Sequence, residues 1–94
     1  MTEKDLHRQI IRLLDAYSIP FARARMDKRS TLAVGYPDFS FPFRGCFVAW
    51  EVKIGKNQLT PEQEVYATSI ERHGGHYRVI RVIGDAERHL REVG

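Results

Sequence analysis

The chain has 94 residues, of which 43% are apolar and 29% are charged, with a formal net charge of +3. This balance excludes an intrinsically disordered chain and predicts one globular domain over residues 1–94. The single cysteine, Cys46, excludes an internal disulfide, and no Cys/His spacing is typical of a zinc site. No apolar run reaches the length of a membrane span, so we expect a cytoplasmic protein that contacts no membrane. The mildly basic charge favours a polyanionic partner.

The first predicted element is a helix over residues 2–17, TEKDLHRQIIRLLDAY. Its apolar residues recur at the spacing of one helix face, at Leu6, Ile10, Leu13, Leu14 and Tyr17. Thr2 and Asp5 are spaced for a capping box, and Pro20 ends the helix. The alternating segment 19–26, IPFARARM, predicts a strand, and residues 27–36 predict a loop.

Two central strands are predicted, PDFSFPF at 37–43 and CFVAWEVKI at 46–54, joined by a two-residue turn at Arg44-Gly45. If Phe43 pairs with Cys46, the register places Asp38 opposite Glu51, with Cβ atoms about 5 Å apart. Lys53 follows Glu51 by two residues and shares its face of the sheet. The opposite face carries aromatic and aliphatic side chains and predicts the core.

A second helix is predicted to begin in TPEQ, with Thr60 as N-cap, Pro61 in the first turn and Gln63 closing a capping box. Gly74 or Gly75 ends it. A strand at 76–83 and a short helix at 85–93 complete the order αβββαβα. We expect a mixed α/β sheet flanked by helices, with the last strand parallel to 46–53.

Two opposed carboxylates in an apolar segment call for a chemical explanation. Asp38 and Glu51 repel one another, and a divalent cation between them relieves this. Oxygen ligands suit Mg²⁺ or Mn²⁺, whose bound water is a nucleophile near neutral pH, and Lys53 could orient that water or offset transition-state charge. The alternative is that Asp38 begins a strand while Glu51 and Lys53 line a solvated face.

The motifs also resemble a known family. Gly35 to Asp38 (G-x-P-D) and Glu51 to Lys53 (E-V-K) resemble the PD-(D/E)xK nuclease superfamily. A Glu at the start of the first helix, Glu3, a turn at Gly55 and the sequence Thr60-Pro61-Glu62-Gln63 are similar to its VRR-NUC (virus-type replication-repair nuclease) branch. The resemblance covers nearly the whole chain and implies the restriction-endonuclease-like core of that superfamily.

The resemblance implies roles for individual residues. Asp38 and Glu51 would be metal ligands together with the carbonyl of Val52, and Lys53 would be the catalytic lysine. Two further residues would support the site: Glu3 from the first helix, as an acid, and Gln63 from the second. Gln63 is equally explained as a capping residue, and Glu3 as a charge at a helix N-terminus.

The implied function is a Mg²⁺- or Mn²⁺-dependent endonuclease that hydrolyses phosphodiester bonds in branched DNA, as a Holliday-junction resolvase does, in replication, repair or recombination. Standalone copies resemble phage and bacterial proteins thought to act as dimers, so we expect a homodimer in a bacterial cell or phage-infected host. The alternatives are a flap or end-processing nuclease, a catalytically silent DNA-binding module of the same fold, and a metal-stabilised structural protein.

Basic and apolar residues outside the motifs complete the expectations. We expect phosphate contacts from one cluster and one turn residue: Arg23, Arg25, Lys28, Arg29 and Lys56. The alternative for the cluster is a solvated strand edge whose charges prevent edge-to-edge pairing. Three apolar residues without an obvious intramolecular contact are candidates for a dimer surface: Leu32, Val34 and Val93.

Overall fold

A four-stranded mixed sheet and three helices are formed by the residues that the computed structural model describes, 1–24 and 34–93. The helices are α1 (Glu3–Ala16), α2 (Pro61–Arg72) and α3 (Ile83–Glu92). The strands are β1 (Ala22–Arg23), β2 (Phe39–Phe43), β3 (Cys46–Val52) and β4 (His76–Ile80). They lie in the order β1-β2-β3-β4, with β1, β2 and β3 antiparallel and β4 parallel to β3. The predicted order αβββαβα and the mixed sheet flanked by helices are confirmed.

The hydrophobic core lies between one face of the sheet and the helices α1 and α3. It is formed by strand residues, with Phe39, Phe41, Val48, Trp50 and Val52 buried, and by one stripe of each helix, with Leu6, Ile10, Leu14, Ala86 and Leu90 buried. Inside it, Trp50 Nε1 donates a hydrogen bond of 2.7 Å to His89 Nδ1. Helix α2 has no buried residue and lies against the opposite face, where Tyr66 contacts Tyr36 edge-on. None of the helices among the described residues is long and apolar enough to cross a membrane.

The central hairpin has the predicted register. Phe43 pairs with Cys46, and the pairing continues to Phe39 and Trp50. Arg44 and Gly45 both have positive φ angles, 50° and 80°, as a tight two-residue hairpin turn requires. Asp38 directly precedes β2, so it lies at the point where this register continues to Glu51.

The predicted strands extend beyond the observed ones. Those predicted at 37–43 and 46–54 are observed as Phe39–Phe43 and Cys46–Val52. The strand predicted at 76–83 ends at Ile80, and α3 begins at Ile83. The reason is local, because the Asp85 carboxylate accepts hydrogen bonds from the N–H groups of Arg81 and Val82 and turns the chain into the helix. Of the strand predicted at 19–26, the described part contains β1 only.

The three residues predicted to form a dimer surface differ in their exposure. Val93 was expected to lack an intramolecular contact, and this is wrong, because Val93 is 1% exposed and belongs to the core cluster. Val93 directly follows α3 and packs in the same core as the buried residues of that helix. Val34 is 79% exposed. Leu32 lies outside the described residues.

Candidate functional site

The predicted site residues converge at one edge of the sheet, where β2 begins and β3 ends. Asp38 is 6% exposed and Glu51 is 3% exposed, so both carboxyl groups are buried. Asp38 Oδ2 accepts a hydrogen bond of 2.8 Å from the Val52 N–H, and the Asp38 carbonyl accepts one of 3.0 Å from Ala24 N. These bonds to both neighbouring strands fix the orientation of Asp38.

Glu51 has one satisfied and one unsatisfied carboxyl oxygen. Its Oε2 accepts a hydrogen bond of 3.2 Å from Gln63 Nε2. Its Oε1 is buried and has no hydrogen-bond partner among the described residues. Burial raises the pKa of Glu51 to about 9, and the neighbouring Asp38 carboxyl group acts in the same direction. In the absence of a cation, Glu51 therefore holds a proton at neutral pH.

Gln63 combines the two roles that the sequence left open. Its Oε1 accepts a hydrogen bond of 2.9 Å from Thr60 N, and its backbone N–H donates to Thr60 Oγ1, which completes the predicted capping box. Because the cap uses Oε1, the amide Nε2 points to Glu51. Capping and contact with the site therefore do not exclude one another.

Gly35, the first residue of the G-x-P-D motif, is required by its close contact with α2. Its φ is +89°, and an added Cβ would lie 2.6 Å from the backbone carbon of Glu62. Glycine thus allows the segment before Asp38 to lie directly against the start of α2, beside Gln63. This contact brings two distant motifs of the sequence to one place.

Lys53 and Val52 lie at the same edge. The Lys53 N–H donates a hydrogen bond of 3.1 Å to the Ile80 carbonyl, which extends the pairing of β3 with β4 by one residue. The side chain of Lys53 is half-buried, and its charge lowers the pKa of Glu51, against the larger effects of burial and Asp38. The Val52 side chain is in the core, so only its main chain can reach a ligand.

Glu3 approaches the site together with a residue that the sequence interpretation missed, His7. One ligand atom from each of Glu3, His7 and Asp38 lies within 4.8 Å of the others. His7 is 5% exposed, and its ring centroid is 5.1 Å from that of Phe39. Burial lowers the pKa of His7, which favours the neutral imidazole that a metal requires. The available clue was the position of His7 on the apolar face of α1, one turn after Glu3.

Tyr77 is a second residue that sequence interpretation missed. It pairs with Ala49 in β4 and therefore shares the sheet face of Glu51. Its hydroxyl is buried without a hydrogen-bond partner in the described part of the chain. Burial, with the charges of Glu51 and Asp38, raises the pKa of Tyr77. The hydroxyl is thus a neutral donor near the carboxyl pair.

The residues expected to contact phosphate are placed in part. Arg23 lies beside the site, with its guanidinium carbon 5.5 Å from the centroid of the Phe39 ring and Nη2 3.1 Å from His7 Nδ1. Lys56 is exposed in the turn after β3. Arg25, Lys28 and Arg29 lie outside the described residues.

The donor set fits a divalent cation. A buried carboxyl oxygen without a partner, Glu51 Oε1, lies beside a second carboxyl group whose orientation is fixed. Two carboxyl groups and a main-chain carbonyl are the hard oxygen ligands that Mg²⁺ and Mn²⁺ prefer. A cation between Asp38 and Glu51 would take the place of the proton that Glu51 holds.

Comparisons with known proteins do not assign the chain to a family. No protein-family model matches the chain, and no curated protein matches it. The resemblance to VRR-NUC nucleases therefore rests on the sequence motifs.

Proposed function

We propose that this protein is a metal-dependent endodeoxyribonuclease of the PD-(D/E)xK type, similar to VRR-NUC domains, that acts on branched DNA. The observation that carries this proposal is the buried Asp38–Glu51 pair, with Glu51 Oε1 unsatisfied and Lys53 directly after the end of β3. A structural role alone does not require two carboxyl groups to be buried together, since each would be better solvated outside.

Each residue of the site has a role in the proposed reaction. Asp38, Glu51 and the Val52 carbonyl would hold Mg²⁺ or Mn²⁺, which supplies an activated water and positive charge beside the phosphate. Gln63 orients the Glu51 carboxyl group through its amide. The Lys53 ammonium group would hold the attacking water or offset the charge that develops on the phosphate.

The second part of the proposal is a homodimer that cuts opposing strands of a four-way junction. One site cuts one strand at a time, whereas a two-fold dimer presents two sites at a fixed separation. Uncovered apolar surface supports this assembly, because α2 buries none of its residues and Val65 and Phe47 are 68% and 44% exposed. An open groove of about 740 Å³, lined mainly by apolar residues of the segment 20–22 and of β2 and β3, also includes Phe47.

The deciding experiment is cleavage of labelled four-way, flap and linear DNA with Mg²⁺, Mn²⁺ or EDTA. We expect cleavage of the four-way junction on both opposing strands, and none with EDTA. Trimming of free ends would favour the end-processing alternative. Binding without cleavage under every metal condition would favour the silent DNA-binding module.

Variants connect the activity to the site. Glu51→Gln and Lys53→Ala should each lower the cleavage rate by about 100-fold or more while the fold is kept. Glu71→Gln and Arg12→Ala, which change exposed residues of α2 and α1, are the matched controls and should cut normally. Near wild-type cleavage by either site variant would contradict the assigned site.

A further inference from the structure

The imidazole of His7 lies with the carboxyl groups of Glu3 and Asp38, and this distinguishes their position from an all-oxygen site. Glu3, His7 and Asp38 each offer one ligand atom, and these atoms lie within 4.8 Å of one another. A point between three such atoms is at most about 2.8 Å (4.8/√3) from each. Metal–ligand bonds are about 2.1 Å long, so a shift of less than 1 Å per ligand closes the site. Glu3 can provide most of this movement because its side chain is 43% exposed.

A second observation points to a ligand at Asp38. Glu51 is 3% exposed, and its Oε1 has no hydrogen-bond partner in the described part of the chain, although it lies next to Asp38. Asp38 thus lies near a buried oxygen without a partner and also near an imidazole and a third carboxylate.

We propose that Asp38 is shared by two cation positions and that the second, formed by Glu3, His7 and Asp38, selects a divalent transition-metal ion such as Mn²⁺ over Mg²⁺. The first position, with Glu51 and Val52, is that of the proposed function, on which this inference rests. The His7 imidazole provides the selectivity. Transition-metal ions accept a nitrogen ligand, whereas Mg²⁺ prefers oxygen ligands and keeps its waters.

Arg23 competes with the cation for His7. A guanidinium group can only donate, so His7 Nδ1, 3.1 Å from Arg23 Nη2, is the acceptor, and the proton of neutral His7 is on Nε2. A cation on Nδ1 replaces Arg23 directly. A cation on Nε2 sends the proton to Nδ1, which then cannot accept from Arg23. In both cases, cation binding releases Arg23, which becomes free to contact a DNA phosphate, so cation and DNA strengthen each other's binding.

The test uses the protein with Mn²⁺ and without DNA, so its outcome is independent of cleavage. We expect pulsed EPR of bound Mn²⁺ to show ¹⁴N coupling from a coordinated imidazole. His7→Gln should abolish the coupling and lower the ratio of Mn²⁺ to Mg²⁺ affinity by about tenfold or more. His73→Gln, which changes an exposed histidine after α2, is the matched control and should retain both. Bound Mn²⁺ without ¹⁴N coupling, or coupling that persists in His7→Gln, would overturn the proposal.

Two further variants complete the test. If circular dichroism shows that His7→Gln does not fold, Glu3→Gln replaces it in the test, because Glu3 is a partly exposed ligand outside the core. Unchanged Mn²⁺ affinity in Glu3→Gln would contradict the site.

Arg23→Gln should strengthen Mn²⁺ binding more than Arg12→Gln, which removes an exposed arginine of α1. Equal effects would refute the release of Arg23. If the protein shows ¹⁴N coupling but cuts no DNA, the proposed cation position is supported and the proposed nuclease function is refuted.

Discussion

Glu51 lies buried beside a second carboxyl group, which is unfavourable for its charged form. The pKa of Glu51 is raised to about 9 by burial first and by Asp38 second. Between its ordinary pKa, near 4.5, and this value, the folded state holds a proton that the unfolded state releases. This residue therefore makes the metal-free protein less stable as the pH rises through that window, by at most about 1.4 kcal/mol per pH unit.

Glu51→Gln should remove this pH dependence. In EDTA, we expect the free energy of unfolding of the wild type to fall relative to that of Glu51→Gln as the pH is raised from 6 to 8. Urea unfolding at three pH values measures the difference, and Glu71→Gln, at an exposed position, should behave as the wild type does. Parallel curves for wild type and Glu51→Gln would show that the carboxyl group titrates normally. Saturating Mn²⁺ should flatten the wild-type curve because the cation replaces the proton.

The carboxyl pair could be predicted at this scale, but its neighbours could not. Asp38 directly precedes β2 and Glu51 lies in β3, and the register of these strands follows from a local turn and an alternating pattern, so the proximity of the two residues is determined within one hairpin. His7 reaches Asp38 only because α1 packs on the sheet at a particular angle, which depends on the whole core. Tyr77 depends on the parallel pairing of β4 with β3, a contact between distant segments.

At the scale of secondary-structure elements, the N-terminus of α2 acts as a positioning device. The capping box between Thr60 and Gln63 holds the amide whose other end contacts Glu51. Gly35 then brings the segment before Asp38 against the same helix end. The Thr60-Pro61-Glu62-Gln63 motif could be recognised as a helix start, but its contact with Glu51 required the placement of α2 in three dimensions.

Thr60→Ala should therefore affect both stability and the site. We expect a loss of about 1 kcal/mol in the free energy of unfolding, as for other N-cap replacements, and slower cleavage because Gln63 loses its fixed orientation. Thr60→Ser keeps the hydroxyl group and should resemble the wild type in both measurements. Urea unfolding and single-turnover cleavage of junction DNA provide the two readouts. A normal cleavage rate in Thr60→Ala would mean that the cap does not position Gln63.

At the scale of the whole molecule, charge and uncovered surface determine the expected partners. Arg23 contacts His7 beside the carboxyl pair, and Lys56 is exposed in the turn after β3. Replacing both with Gln, in the Glu51→Gln background to prevent cleavage, should weaken DNA binding whatever the sequence. The slope of log affinity against log salt should fall by about 1.8, or about 0.9 per phosphate contact. An unchanged slope would favour the alternative of a solvated strand edge.

The homodimer leads to a prediction about the surface of α2. We expect Val65→Asp, at an exposed position of α2, to shift the protein from dimer to monomer in sedimentation at micromolar concentration, without loss of fold. Val82→Asp is the matched control, since Val82 is 55% exposed but lies before α3. A wild-type protein that sediments as a monomer with and without junction DNA would contradict the assembly.

Trp50 and Glu51 are neighbours in β3, yet their side chains lie on opposite faces of the sheet. Trp50 is the only tryptophan of the chain, and its side chain is fully buried and hydrogen-bonded to His89. Its fluorescence therefore reports the packing of α3 on the sheet, from the face opposite to the Glu51 side chain. For any variant of the carboxyl pair, unchanged emission with altered cleavage would locate the defect in the chemistry rather than in the fold. Because neighbouring side chains of β3 point to opposite faces, Trp50 fluorescence is a built-in control for the fold in studies of the carboxyl pair.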